Sequence, residues 1–327
     1  MHQRIYRMGP VTVGMACVDD PQLAQLDELW QVLFQVQTEP ANGRPPVIKF
    51  QFNRAGDSDT YPRAVELFHH AHQRLWQTPI GFHLTFGDTW LALDVAQFKA
   101  TGMLAPSFWA CPLAEQREFF QLALLLLLRR HSVYLLSANG IVPPSGEHAS
   151  GMLLVGNGGA GKTTLALSLL TGGWRWVADE QLLLQSQPAG LAAYALRRGF
   201  ACTPETTNAF PTLAGAQTGL RLSCGKTLLH LDRLFPDRFA GYCIPRVLLF
   251  PQIAHTPTSW LAPLDPAKTL AALLHQPRSS LLVDPPTVMG YLVLLKELVR
   301  QTRGYQLHLG QDVLEQPARV GELLLSI

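Results

Sequence analysis

Apolar positions recur along the first third of the chain with two different periods. "VTVGMACV" reads as a strand. In "DPQLAQLDELWQVLFQ" the residues Leu23, Leu26, Leu29, Trp30, Leu33 and Phe34 return every three or four positions, so they share one helical face. Asp20 and Pro21 suit the cap and first turn of that helix. "VIKFQF" alternates as a strand does. "AVELFHHAHQRLW" predicts a second helix, which would place His69 and His72 on one face. "GFHLTFGDTWLALDV" is two alternating runs joined at Gly87-Asp88, the signal of a hairpin.

Further on, "FFQLALLLLLRRH" has an apolar centre of about ten residues, where a membrane span needs roughly twenty. It predicts a buried helix from about Pro112 to Arg130. "SVYLLSANGIV" reads as a strand and "PPSGEHAS" as a turn. "GMLLVG" is continuously apolar, as a strand covered on both faces should be. "TTLALSLL" is a helix that stops at Gly172-Gly173, and "WRWVA" is a short strand after it. "QLLLQS" and "GLAAYALR" read as paired strands around a Pro-Ala-Gly turn, and "IPRVLLFPQI" as another strand. "DPAKTLAALLHQ" and "PPTVMGYLVLLKELVRQTRG" are helices by cap and period, and "YQLHL" is a late strand. Strands and helices do not alternate strictly. The order predicts an α/β protein with a mixed sheet and attached helices. The domain boundary is placed between Val95 and Leu113, giving a smaller α+β domain over 1–110 and a second domain over 111–327.

Composition narrows the class. The chain has 327 residues, 47% hydrophobic and 15% charged, which is globular and long enough for two domains. A net charge of +2 gives no electrostatic reason to expect nucleic acid. The cysteines, Cys17, Cys111, Cys202, Cys224 and Cys243, are scattered and form no CxxC pair, which argues against zinc and for reduced thiols. Gly, Pro and polar residues interrupt the apolar part of "MHQRIYRMGPVTVGMACV", so no targeting segment is expected. The expectation is a cytoplasmic protein with no membrane partner. No obvious acidic or cysteine partner completes a metal set with His69, His70 and His72, which are read as a half-exposed helix face.

One stretch carries chemistry. Gly156, Gly161, Lys162 and Thr163 satisfy G-x-x-x-x-G-K-[ST], between a predicted strand and a predicted helix. Glycines let backbone N–H groups approach phosphate oxygens, and the helix start adds its positive dipole end. The candidate nucleotide-binding residues are Gly156, Asn157, Gly158, Gly159, Ala160, Gly161, Lys162, Thr163 and Thr164. Lys162 would sit by the β- and γ-phosphates, and the Thr163 hydroxyl would ligate Mg²⁺.

Asp179 and Glu180 follow at the end of the next strand. A compact strand–helix–strand crossover commonly returns to a neighbouring parallel strand, which would bring both acids beside the loop. One carboxylate can hold Mg²⁺ and the other can accept a proton from an attacking hydroxyl.

Together, "SANGIVPPSGEHASGMLLVGNGGAGKTTLALSLLTGGWRWVADE" resembles the catalytic core of bacterial HPr kinase/phosphorylase and its divergent relatives. That group shares its nucleotide-binding fold with phosphoenolpyruvate carboxykinase. The resembling pieces are the loop Gly156–Thr163, the turn Gly173-Trp174-Arg175 and the strand end Val177-Ala178-Asp179-Glu180. The resemblance implies a P-loop kinase core with Asp179 as catalytic base, Lys162 as catalytic cation, and Glu180 with Thr163 on the metal. It departs from the pattern at Glu180, where Asp is usual, and at Gly158, where Ser is common. A strand histidine of the family has no counterpart; Ser137 and Asn139 stand in that neighbourhood. The loop used for the reverse, phosphorolytic reaction is not found.

The resulting expectation is an ATP- and Mg²⁺-dependent kinase acting on a hydroxyl, with a serine of a small protein or peptide as acceptor. The domain over 1–110 would recognise that acceptor. Relatives of this kind are often homo-oligomers. Two alternatives stay open: a nucleotide-binding accessory protein with little catalysis, and a small-molecule kinase on the same scaffold. A cation that stabilises the transferring phosphoryl group is expected, with Arg198 and Lys226 as candidates.

Overall fold

The computed structural model describes residues 2–18, 20–34, 38–39, 47–53, 64–70, 72–144, 150–221, 225–276 and 285–327. The chain divides into two compact units, Met1–Tyr134 and Leu135–Ile327.

In the first unit β1 (His2–Met8) and β2 (Val11–Cys17) form a hairpin, followed by α1 (Asp20–Phe34), β3 (Thr38–Glu39) and β4 (Ile48–Phe52). Next come β5 (Val65–His70), β6 (Gln73–Thr78), β7 (Gly81–Phe86), β8 (Thr89–Asp94) and β9 (Lys99–Met103), with β6 to β9 each pairing antiparallel with the one before. Helices α2 (Pro106–Trp109) and α3 (Leu113–Leu128) complete it. The nine strands make one sheet in the order β3-β1-β2-β4-β9-β8-β7-β6-β5. The apolar stripe of α1 is buried as its period requires. Trp30 sits at its centre, with ring centroids 5.1–5.7 Å from Phe34, Tyr6, Phe50 and Phe120.

Phe120 lies on α3, so that helix packs within the first unit. The sequence had placed it at the start of the second domain, with the boundary at 110/111. The compact units divide after Tyr134 because Phe119 and Phe120 belong to this aromatic core. Nearly every residue of α3 from Phe119 onward is buried, which accounts for its apolar run. Among the described residues no helix is long and apolar enough to cross a membrane.

The predicted helix over "AVELFHHAHQRLW" is instead the hairpin β5–β6, with His69 opposite Arg74. The deciding partner is β7, which pairs β6 from Gln73↔Phe86 to Thr78↔Gly81. His69 and His72 therefore share no helical face. The Gly87-Asp88 hairpin forms as expected, with Phe86 opposite Thr89 and Gly87 at φ 56°.

The second unit begins with β10 (Tyr134–Leu136), β11 (Ala138–Val142), β12 (Ser150–Val155), α4 (Lys162–Thr171) and β13 (Arg175–Ala178). The single strand expected over "SVYLLSANGIV" is thus two strands, which pair with different neighbours. The predicted turn in "PPSGEHAS" lies mostly outside the described residues. β14 (Leu182–Gln187) and β15 (Gly190–Ala195) pair as predicted. β16 (Phe200–Cys202), α5 (Pro204–Ala209), β17 (Gln217–Arg221) and β18 (Thr227–Leu229) follow, the strands forming a small separate sheet. β19 (Tyr242–Ile253), β20 (Trp260–Leu264), α6 (Pro266–Leu274), α7 (Pro285–Gln301), β21 (Arg303–Leu309), α8 (Asp312–Glu315) and α9 (Pro317–Leu325) end the chain.

The main sheet is mixed, in the order β10-β14-β15-β19-β12-β11-β13, with β21 also on β19 and β20 on β21. β12 runs parallel to β19, and β19 to β21. β11 is antiparallel to both β12 and β13. β12 and β13 therefore run the same way, but β11 lies between them, where the sequence suggested direct neighbours. Their carboxyl ends and the start of β11 share one edge of the sheet. Gly140 lets β11 lie close to β13: a Cβ there would stand 2.8 Å from the Val177 Cβ. Leu165, Leu169, Trp174, Trp176 and Leu324 pack over this sheet and bury the face of α4.

Candidate active site

The glycine-rich loop joins the end of β12 to the start of α4. Two of its glycines adopt left-handed backbone, Gly159 at φ 82° and Gly161 at φ 91°. A side chain at Gly161 would also come within 2.7 Å of Leu309 Cδ1. Both the conformation and the close approach require glycine there. Lys162 is only 8% exposed. Its Nζ donates to the carbonyls of Gly156 and Asn157 at 2.6 and 2.9 Å, so the ammonium is folded back into the loop. Burial lowers its pKa, opposed by the charges of Glu180 and Asp179.

The acids meet this loop through one hydrogen bond. Thr163 Oγ1, in the first turn of α4, donates to Asp179 Oδ1 at 2.9 Å. Asp179 is 1% exposed. Its Oδ1 also accepts from Asn139 Nδ2 at 2.8 Å, and its Oδ2 from the Ala201 N–H at 2.8 Å. Burial pushes its pKa up, while Arg197, the Ala201 N–H and Thr163 pull it down. Asn139 is shared between the acids: its Oδ1 accepts from the Glu180 N–H at 3.1 Å. That bond holds Glu180 at φ 67°, a left-handed conformation uncommon outside glycine. The Glu180 side chain is 45% exposed, with Oε2 at 3.7 Å from Arg197 and 3.6 Å from Lys226.

Lys162, Thr163, Asp179 and Glu180 are thus brought together at one sheet edge, as the sequence suggested. Gly156, Asn157, Gly158, Gly159, Ala160 and Gly161 form the loop beside them, and Thr164 lies in the first turn of α4. Arg198 departs from its candidate role. It bonds Asp232 at 2.8 Å and lies over the Phe239 ring, 4.3 Å from its centroid. Its neighbour Arg197 faces the acids instead, with NH2 3.9 Å from Asp179 Oδ2. Sequence reading also missed Asn139 and the Ala201 N–H as partners of Asp179. For Asn139 the signal was its place, with Ser137, in the neighbourhood where the resembled family carries a histidine; for Ala201 there was none.

No protein-family model and no curated protein matches this chain. Among solved structures it is similar to the HPr(Ser) kinase/phosphatase from Coxiella burnetii, at 16% identity and a TM-score of 0.30. The match covers 59% of this chain and 94% of that one. A likeness this distant carries nothing about activity. The fold itself is α/β, with mixed sheets and helices.

Proposed function

We propose that the second unit is an ATP- and Mg²⁺-dependent phosphotransferase that passes the γ-phosphoryl group to a hydroxyl, with a serine of a small protein or peptide as acceptor. The observation that carries this reading is the 2.9 Å bond from Thr163 to Asp179, which ties a glycine-rich loop and helix start to a buried carboxylate. Phosphate oxygens would lie against the loop N–H groups, and Lys162 would turn from the loop carbonyls to meet them.

The donor set fits Mg²⁺. Thr163 and Asp179 offer only hard oxygen atoms. Among the described residues no group of three or more His, Cys, Asp or Glu is gathered for a metal. A cation sharing few protein ligands with phosphate oxygens and water is the usual Mg²⁺ arrangement. Bound there, Mg²⁺ would neutralise charge on the β- and γ-phosphate oxygens.

Access divides the work of the acids, in the reverse of the order the resemblance implies. An ionised carboxylate has about four acceptor positions, and Asp179 already fills three. One position remains, but Asp179 is so deeply buried that an incoming hydroxyl has no open approach to it. Glu180 is open and loosely paired. In this reading Asp179 is the fixed anion that orients Thr163, and Glu180 orients the acceptor hydroxyl and takes its proton.

Lys162→Ala removes a charge-assisted phosphate contact and should weaken ATP binding by about tenfold or more. The fold should survive, because the ammonium bonds only loop carbonyls. Calorimetry showing unchanged ATP affinity in the folded variant would sink the phosphate-loop assignment. Acceptor recognition falls to the first unit, since every site residue named above lies in the second. A fragment of residues 132–327 should bind Mg-ATP and phosphorylate no protein acceptor; full transfer by that fragment would end this role.

A further inference from the structure

Three cations, Lys162, Arg197 and Lys226, surround two carboxylates, Asp179 and Glu180. Lys162 feels the charges of Glu180, Asp179 and Lys226, and Cys202 feels those of Asp179, Lys226 and Arg197, so the five form one cluster. With all of them ionised, the cluster carries one more positive charge than negative. Buried charge is costly unless it is paired and hydrogen-bonded.

Arg197 is where the deficit is greatest. It is 4% exposed, yet its Nε has no hydrogen-bond partner. Its NH2 stands 3.9 Å from Asp179 and 3.7 Å from Glu180, both too long for hydrogen bonds. A buried guanidinium normally uses its planar fork of donors. Here the fork lies beside two carboxylates and grips neither. Arg198 next to it also has an unpartnered Nε, but its NH2 bonds Asp232 and its guanidinium lies over the Phe239 ring, away from the acids. Lys226 completes the feature from the other side of Glu180, at 3.6 Å.

We propose that Arg197 and Lys226 form an anion site for the phosphoryl group in transit between nucleotide and acceptor. The proposal rests on the phosphotransferase reading. As the acceptor oxygen bonds to the γ-phosphorus, the bond from that phosphorus to the β,γ-bridging oxygen breaks. The electron pair leaves with ADP, and the hydroxyl proton passes to Glu180. Charge spreads over the three equatorial oxygens of the transferring group, which is what a planar guanidinium fork matches. The cations also leave Glu180 as they turn to those oxygens.

Fluoroaluminate with Mg-ADP, a planar mimic of the transferring group, tests the site on the full chain. It should slow ADP release from the unaltered protein by about tenfold or more. Arg197→Lys keeps a buried cation opposite Asp179 but lacks the fork. It should bind Mg-ADP within about threefold of the unaltered protein and lose the fluoroaluminate effect. Lys226→Met, at a partly exposed position that does not threaten the fold, should reduce that effect too, and it decides the matter if Arg197→Lys does not fold. Full retention of the fluoroaluminate effect in a folded Arg197→Lys, or in Lys226→Met if Arg197→Lys does not fold, overturns the anion site. So does an unaltered protein that binds Mg-ADP with no response to fluoroaluminate, though the nucleotide reading then stands. An unaltered protein that binds no Mg-ADP overturns both.

Discussion

Glu180→Gln should leave Mg-ATP bound and lower phosphoryl transfer by about 10²–10⁴-fold, the usual contribution of a positioned acid or base. The substitution keeps length and polarity. It removes the proton acceptor and the charge that Arg197 and Lys226 face at 3.7 and 3.6 Å. The side chain is 45% exposed, so stability should change little. Transfer can be read with a peptide acceptor or with water in its place, beside calorimetric Mg-ATP binding. A lost Mg²⁺ dependence of binding with an intact rate would restore the other order, with Asp179 as base and Glu180 on the metal. If neither quantity moves, Glu180 is a solvated strand end and the accessory-protein alternative leads.

Asp179→Asn should instead unsettle the second unit, by about 3–5 kcal/mol, the scale for breaking a buried ion pair by removing one partner. Asp179 Oδ1 accepts from Asn139 and Thr163, and Oδ2 from the Ala201 N–H. Whichever way the new amide turns, its NH₂ meets a donor. Arg197, buried alongside, loses a counter-charge. Denaturant unfolding of the second unit reads the loss directly. Burial already pushes the Asp179 pKa up, and that gives the alternative outcome its meaning. A loss under about 1 kcal/mol would show the carboxyl folding in its neutral form, and the proton-carrying role would return to it.

The parts legible in sequence were those set by local rules. The α1 stripe, the Gly87-Asp88 turn and the strand, loop and helix around Gly161 all follow from period, cap or backbone conformation within a few residues. The β5–β6 hairpin did not. Leu75 and Trp76 suit a helix face as well as two sides of a strand, and pairing with β7 decided between them. The site divides the same way. Lys162, Thr163, Asp179 and Glu180 lie close together in the sequence and were found. The partners of Asp179 arrive from 40 residues before it and 22 after it, on separate strands. The choice between Arg197 and Arg198 turned on which guanidinium Asp232 and Phe239 engage, and nothing in the pair "RR" encodes that.

Gly140 extends this to a residue with no chemistry of its own. Asn139 is its chain neighbour and hydrogen-bonds both acids, by accepting from Glu180 and donating to Asp179. Ala138 and Gly140 on either side carry no polar side chain. β11 therefore tolerates no sliding: a one-residue slip turns Asn139 to the opposite face of the sheet and brings nothing in its stead. What keeps the strand in step is the narrow gap to Val177, which a methyl group at Gly140 would close. A packing position in mid-sheet thus acts as the detent of the site, so a variant there would present as a catalytic defect although nothing that reacts had been altered.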